Sequence, residues 1–239
     1  MLNKFTKSIT IQASDSDYAS ILSYPDIFAL SMDIATEHSE HLKYDGRTLA
    51  PKGLFWVTTK YRVHIYRRPE QGECVDLTTW PEKPNRIRGI RNYRFTKNDE
   101  TLIEIISEWA VLDRNNNRLY MIDQLYDPSF VFCEEKQLTD GFHRFTSEFG
   151  KKPFAEYTVR SIDIDFEGHM NNVAYLRALF GLFTRDELEK MSPTEVEVYF
   201  KTSCFEGDRL LWKKHETKEG LELCACLEDG KDIFYARLK

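Results

Sequence analysis

The stretch Asp163-Ile164-Asp165-Phe166-Glu167-Gly168-His169-Met170-Asn171-Asn172-Val173-Ala174-Tyr175-Leu176 decides how the rest of the chain is read. Ahead of it, Thr158, Arg160 and Ile162 alternate as a strand end does, and Gly168 supplies a turn. Behind it, Val173, Leu176, Leu179, Phe180 and Phe183 fall on a helical apolar stripe. Asn171 and Asn172 suit the helix start, because a side-chain carbonyl accepts from the free N–H groups of a first turn. Asp165, Glu167 and His169 therefore stand just before the positive end of a helix. That is a place where charge can be handled.

The 239 residues are 41% hydrophobic and 30% charged, enough for one large domain or two smaller ones with packed cores. No run approaches the roughly 18 apolar residues of a membrane span. Met1 to Lys7 leads straight into an alternating pattern without an apolar signal core. A net charge of −6 disfavours nucleic acid as a partner. No phosphate loop or metal motif is present in the sequence. Five cysteines, an odd number without metal-ligand spacing, point to reduced thiols and a cytoplasmic setting. Cys224-Ala225-Cys226 lies in a strand pattern and reads as sheet packing.

Phe5, Lys7, Ile9 and Ile11 alternate as a first strand. A helix is expected to begin near Pro25, to bury Ile27, Leu30, Ile34, His38 and Leu42, and to end before Gly46. Strands follow at about 54–67, 73–82, 86–97 and 101–114. Residues 126–149 break the pattern and read as a connector between a repeat at 1–125 and another at 150–239. In the second half, strand 154–162, the opening stretch with its helix, and strands near 195–204, 208–217, 220–228 and 231–238 repeat the same order.

Two anchors support an internal duplication. Asp17-Tyr18 matches Asp165-Phe166 at an offset of 148, and Val63 through Glu73 matches Val198 through Asp208 at an offset of 135. The first copy thus carries 13 more residues in its helix and loop. Ile21 stands where the second copy has His169, and Ser23 where it has Asn171. The expected fold is α+β: two tandem repeats, each a long helix wrapped by an antiparallel sheet, joined into one continuous sheet.

Asp165-x-x-x-His169-Met170-Asn171-Asn172-Val173-x-Tyr175 resembles the signature of the fatty acyl-ACP thioesterases, a family with a double-hotdog fold. Leu54-Phe55-Trp56-Val57, Thr78-Thr79-Trp80 and Ser107-Glu108-Trp109 resemble further motifs of the family, so the similarity covers nearly the whole chain. The resemblance implies hydrolysis of a fatty acyl thioester on acyl carrier protein, ending chain elongation, with no cofactor and no metal. An acyl-CoA thioesterase and a non-catalytic acyl-binding protein with a decayed site remain open as alternatives. A monomer and a homodimer are both compatible with the sequence.

Two positions depart from the family pattern. Glu167 stands where the family has Asn, and Ser203 where it has Glu, although the following Cys204 matches. The expected roles are Glu167 as the base that activates water, His169 as proton relay, and Asp165 as the group that holds the imidazole. Backbone N–H groups near Gly168 and Met170 are the expected oxyanion donors, and Cys204 is expected to be a buried strand thiol. Asn171, Asn172, Trp56 and Ile27 are expected to bind substrate, with Phe28 and Phe55 beside the last two in an acyl tunnel. Docking of an acidic carrier calls for cations. Arg86, Arg88 and Arg91, flanked by Lys83 and Arg94, are the expected docking row, and alternation puts Arg91 on the opposite face from Arg86, Arg88 and Arg94. Lys60, Arg62 and His64 form a second row.

Overall fold

In the computed structural model, residues 3–116, 118–145, 149–150 and 152–239 are described. Met1 and Leu2 of the N-terminal reading, and residues 146–148 of the connector, lie outside them. The chain divides into two compact units, Met1–Gly141 and Phe142–Lys239.

The first unit begins with β1 (Phe5–Thr10), then α1 (Tyr24–Leu42) and α2 (Gly46–Leu49), and continues through β2 (Leu54–Ile65), β3 (Cys74–Pro81), β4 (Gly89–Lys97), β5 (Glu100–Asp113) and β6 (Arg118–Tyr120). Ser23 caps α1 by accepting the Asp26 N–H, and Pro25 occupies the first turn, where a missing donor costs nothing. The helix stops at Lys43, which takes a left-handed conformation at φ 61°. Gly46 lies past this end, as expected, and opens α2 behind the Asp45 cap. Ile27, Phe28, Ile34, Ala35 and His38 form the buried face of α1, with Leu30 only half-buried. All pairings within the sheet are antiparallel, in the order β1-β3-β4-β5-β2, with β6 added to β5. Phe28 of the helix packs on Tyr61 of β2 at 4.0 Å between ring centroids.

The second unit holds β7 (Ala155–Thr158), α3 (Asn172–Phe180), α4 (Arg185–Met191), β8 (Glu195–Phe200), β9 (Arg209–Thr217), β10 (Gly220–Cys226) and β11 (Asp232–Leu238). Its strands follow the order β7-β9-β10-β11-β8, the counterpart of the first unit strand for strand. Two expectations are corrected here. The strand does not run to residue 162: it ends at Thr158, residues 161–163 make a 3-10 turn, and Ile162 is 87% exposed. The helix does not reach Phe183 but ends at Phe180, and Thr184 then opens α4 with a capping box.

The duplication is present hydrogen bond by hydrogen bond. Ser23 N–H to Asp15 C=O matches Asn171 to Asp163, and Asp17 N–H to Ile21 C=O matches Asp165 to His169. Leu22 N–H to Pro69 C=O matches Met170 to Cys204, and Ile11 to Glu73 matches Val159 to Asp208. Both offsets read from the sequence are needed to pair these bonds. They fasten the turn before each helix to the strand end beyond it.

Glu73 closes the second of these turns in the first unit, taking the Glu70 N–H at 2.9 Å and both arms of Arg67. The Arg67 guanidinium, with smaller help from Lys97, holds its carboxyl down to about 2. Glu73→Gln is expected to cost about 1–2 kcal/mol at neutral pH, discounted because Arg67 is partly exposed. A depressed acid stabilises the fold above its unfolded pKa and loses that effect on protonation. The difference between variant and wild type should therefore close as pH falls from about 4.5 toward 2 in denaturant titrations. A gap that stays constant through that window would refute the assignment.

Candidate active site

The site is assembled by one turn and one helix end. Asp165 Oδ1 accepts the N–H groups of Glu167 at 2.9 Å and His169 at 3.2 Å, closing the turn around Gly168, whose φ of 82° favours glycine. Asp163, buried ahead of it, accepts from Arg160 N–H at 2.7 Å and Tyr157 O–H at 2.8 Å, and its carbonyl takes the Asn171 N–H. Burial and this carboxylate together push the Tyr157 phenol up to about 12. Asn171 caps α3, its Oδ1 accepting the Val173 N–H at 2.8 Å. Asp165, Glu167, His169, Asn171 and Asn172 are thus brought together as the sequence suggested.

Their contacts differ in detail from the expectation. Asp165 grips His169 through its main-chain N–H, whereas the imidazole lies against Phe205, with ring centroids 5.1 Å apart. The backbone N–H groups of Gly168 and Met170 are spent on Asp165 C=O at 3.0 Å and Cys204 C=O at 2.8 Å, so neither is left for an oxyanion. The first helical residue, Asn172, makes no hydrogen bond through its N–H or its amide among the described residues. It is the donor left at this helix end.

Cys204 is fully buried. Its N–H donates to the Tyr175 hydroxyl at 3.1 Å, and burial pushes its thiol up to about 11. A thiol there is protonated at neutral pH, and the nucleophilic form is the thiolate. Cys204→Ala should keep kcat within about threefold, and iodoacetamide near pH 7.5 should label exposed Cys74 while sparing Cys204. Rapid alkylation of Cys204 with parallel loss of activity would contradict this. Phe205, Tyr175 and Asp163 were not singled out as site residues by sequence reasoning. Their signal is the duplication, which aligns Tyr175 with Ile27 and Phe205 with Glu70.

The remaining expected residues lie in the first unit. Ile27 is closed within its core, and Trp56 is partly buried against Leu49, Leu54, Val111 and Ile122, its indole N–H on Tyr44 C=O at 2.7 Å. Arg86 sits exposed on the turn before β4, and Arg88 pairs with Glu108. Arg91 does not belong to a surface docking row. It is buried, and its guanidinium meets His38 Nδ1 at 3.1 Å, Thr79 Oγ1 at 3.3 Å and Ser39 Oγ at 3.1 Å. Arg62 likewise is buried, beneath Asp140 and Gly141. Among the described residues, no helix is long and apolar enough to cross a membrane.

Fold and site together define a double-hotdog α+β protein whose second repeat carries Asp165, Glu167 and His169 on the turn before its helix. The Acyl-ACP thioesterase N-terminal domain matches residues 2–128 and the corresponding C-terminal domain residues 146–238. The chain belongs to the acyl-ACP thioesterase family. It is 22% identical over 197 residues to oleoyl-acyl carrier protein thioesterase 2, chloroplastic, of Arabidopsis thaliana, covering 75% of this chain and 54% of that one. It is 25% identical over 211 residues to a chloroplastic acyl-[acyl-carrier-protein] hydrolase of Cuphea viscosissima, covering 80% and 50%. The chain spans about half the length of these curated relatives. Among solved structures, an acyl-ACP thioesterase from Bacteroides thetaiotaomicron superposes with a TM-score of 0.88 at 18% identity, covering 99% of this chain and 97% of that one. The 12:0-ACP thioesterase from Umbellularia californica gives 0.86 at 15%, covering 100% and 97%. At such identities these likenesses speak for the fold.

Proposed function

We propose that this chain hydrolyses fatty acyl-ACP thioesters, releasing free fatty acid. Asp165, Glu167 and His169 are its acid–base groups, and Asn172 is the donor to the thioester carbonyl. The observation that carries the reading is the difference between the two repeats. The same turn is built twice, yet only the second holds an imidazole beside its aspartate, His169 standing where the first has Ile21. A thioester requires an attacking group, a proton handler and a donor for the developing oxyanion, and this turn offers residues for each.

In this reading the first repeat serves the acyl chain, with Ile27 and Trp56 among the side chains next to it, and the carrier is met by cations such as the exposed Arg86 and the half-buried Arg88. All five cysteines are free, which suits a reducing compartment such as the cytoplasm. The test is steady-state turnover of a panel of acyl-ACPs beside acyl-CoAs of matched chain length. Faster release from the carrier protein supports the proposal. Equal or faster release from CoA would make the chain an acyl-CoA thioesterase, and tight acyl binding without product would make it a binding protein.

A further inference from the structure

The second unit holds a side-chain cluster that the thioesterase reading does not use. Glu195 and Glu197 of β8 are two residues apart, so both carboxylates stand on one face of the strand, while Val196 and Val198 fill the core on the other. Residues 142–145 cross the carboxylate face. His143 Nδ1 lies 2.7 Å from Glu197 Oε2 and 3.7 Å from Glu195 Oε1. Among the described residues, this is the set of histidine and acidic side chains whose ligand atoms converge, all within 4.8 Å of one another. Sequence spacing hides it, since His143 and Glu197 are 54 residues apart.

The geometry of the cluster is set from behind. Glu197 is fully buried, and its Oε1 accepts the His143 main-chain N–H at 2.8 Å, which turns Oε2 toward the imidazole. The Tyr199 hydroxyl, next on the same face, donates to His143 C=O and fixes the segment from its other side. Phe145 closes over Tyr199 at 4.7 Å between ring centroids. Arg237 stands directly opposite Glu197 on β11, yet its guanidinium goes to Glu222, with Nε at 3.0 Å, and to Arg144 C=O at 2.8 Å. That cation is spent on another carboxylate. The His143 side chain is 33% exposed, which leaves a way in for an ion, whereas Glu195 and Glu197 are 12% and 0% exposed.

We propose that His143, Glu195 and Glu197 bind one divalent transition-metal ion, zinc fitting best, which clips residues 142–145 to β8. Ligands about 2.1 Å from a tetrahedral zinc stand about 3.4 Å from one another. The separations of 2.7 and 3.7 Å bracket that value, so small shifts of the side chains admit the ion. Two carboxylates and a neutral imidazole balance its double charge, and metal coordination is one of the few ways a buried carboxylate stays ionised. The ion takes the place of the proton between Nδ1 and Glu197, which moves to Nε2 or to solvent. An imidazole ligand favours zinc over magnesium and calcium, which prefer an all-oxygen shell. Three protein ligands leave one position for water. The proposal goes beyond the thioesterase reading and shares no residue with it.

Chelator-treated protein should bind one equivalent of Zn²⁺ in calorimetry, and its melting temperature should rise by roughly 5–10 °C at about 100 times Kd. Mg²⁺ at the same concentration should not shift it. His143→Ala, at a partly exposed side chain, and the isosteric Glu197→Gln should each weaken zinc binding by at least about 100-fold, more than loss of a supporting group costs. Cys74→Ser, which removes an exposed thiol, should bind as wild type does. Zinc binding that survives both His143→Ala and Glu197→Gln would put the ion on thiols or other histidines and overturn the site. So would a wild-type chain with neither heat of binding nor thermal shift, or one that Mg²⁺ stabilises equally. If Glu197→Gln does not fold, His143→Ala decides alone. Turnover of acyl-ACP is measured separately, so failure of the metal site leaves the hydrolase reading standing.

Discussion

Replacing His169 with isoleucine, the residue the first repeat carries at position 21, should lower kcat on acyl-ACP by roughly 10²–10⁴ and leave KM nearly unchanged. The fold already accepts isoleucine at this position of the same turn, so loss of activity would not be a folding effect. The turn itself is held by main-chain bonds, Asp165 N–H to His169 C=O at 2.8 Å and His169 N–H to Asp165 Oδ1 at 3.2 Å, which no side chain at 169 alters. What disappears is the imidazole resting on Phe205, the group proposed to deliver a proton to the departing sulfur. An alkyl thiol has a pKa near 8.5 and profits from that proton, while an aryl thiolate leaves without it. The deficit should therefore shrink on an aryl thioester of the same acyl group. Paired kcat/KM measurements on the two leaving groups decide the matter, and an equal loss on both would remove His169 from the proton path.

Sequence patterns specified the elements better than the contacts. The apolar stripe of α1 and the Asn171 cap are local, set by residues two to four apart, and they stand where expected. The duplication could be read because turns with demanding backbones keep recognisable residues, such as the Gly72 and Gly207 positions at φ 82° and 89°. Charges were harder. Alternation correctly put Arg91 on a different face from its neighbours, but could not say that α1 covers that face with His38 and Ser39. Arg62 followed the outward pattern and is nevertheless covered by residues far along the chain. The spending of the Gly168 and Met170 N–H groups was also hidden, because a main-chain donor carries no mark in its side chain.

Comparison of the two repeats yields a stability cycle at the floor of the site. Tyr175 reaches from α3 to the strand end, where its hydroxyl accepts the Cys204 N–H at 3.1 Å and donates to Thr202 C=O at 3.5 Å. In the first repeat the matching residues are Ile27 and Pro69, so the hydroxyl and the N–H it serves are both missing together. Tyr175→Phe keeps the ring, stacked on Phe234 at 5.4 Å, and should cost about 1–3 kcal/mol, because it orphans a buried donor. Cys204→Pro removes that donor, and Pro69 shows that the equivalent backbone accommodates proline. Each single change deletes one side of the same bond, so the double variant should be less destabilised than the sum of the two by about 1–2 kcal/mol. It should also hydrolyse thioesters within about tenfold of wild type, since it keeps Asp165, His169 and Asn172 and discards only a thiol held protonated by burial. Urea melts of the four proteins measure the coupling. Strict additivity within about 0.5 kcal/mol would mean that the bond does not hold the strand end to the helix. A folded but inactive double variant would return Cys204 to the chemistry.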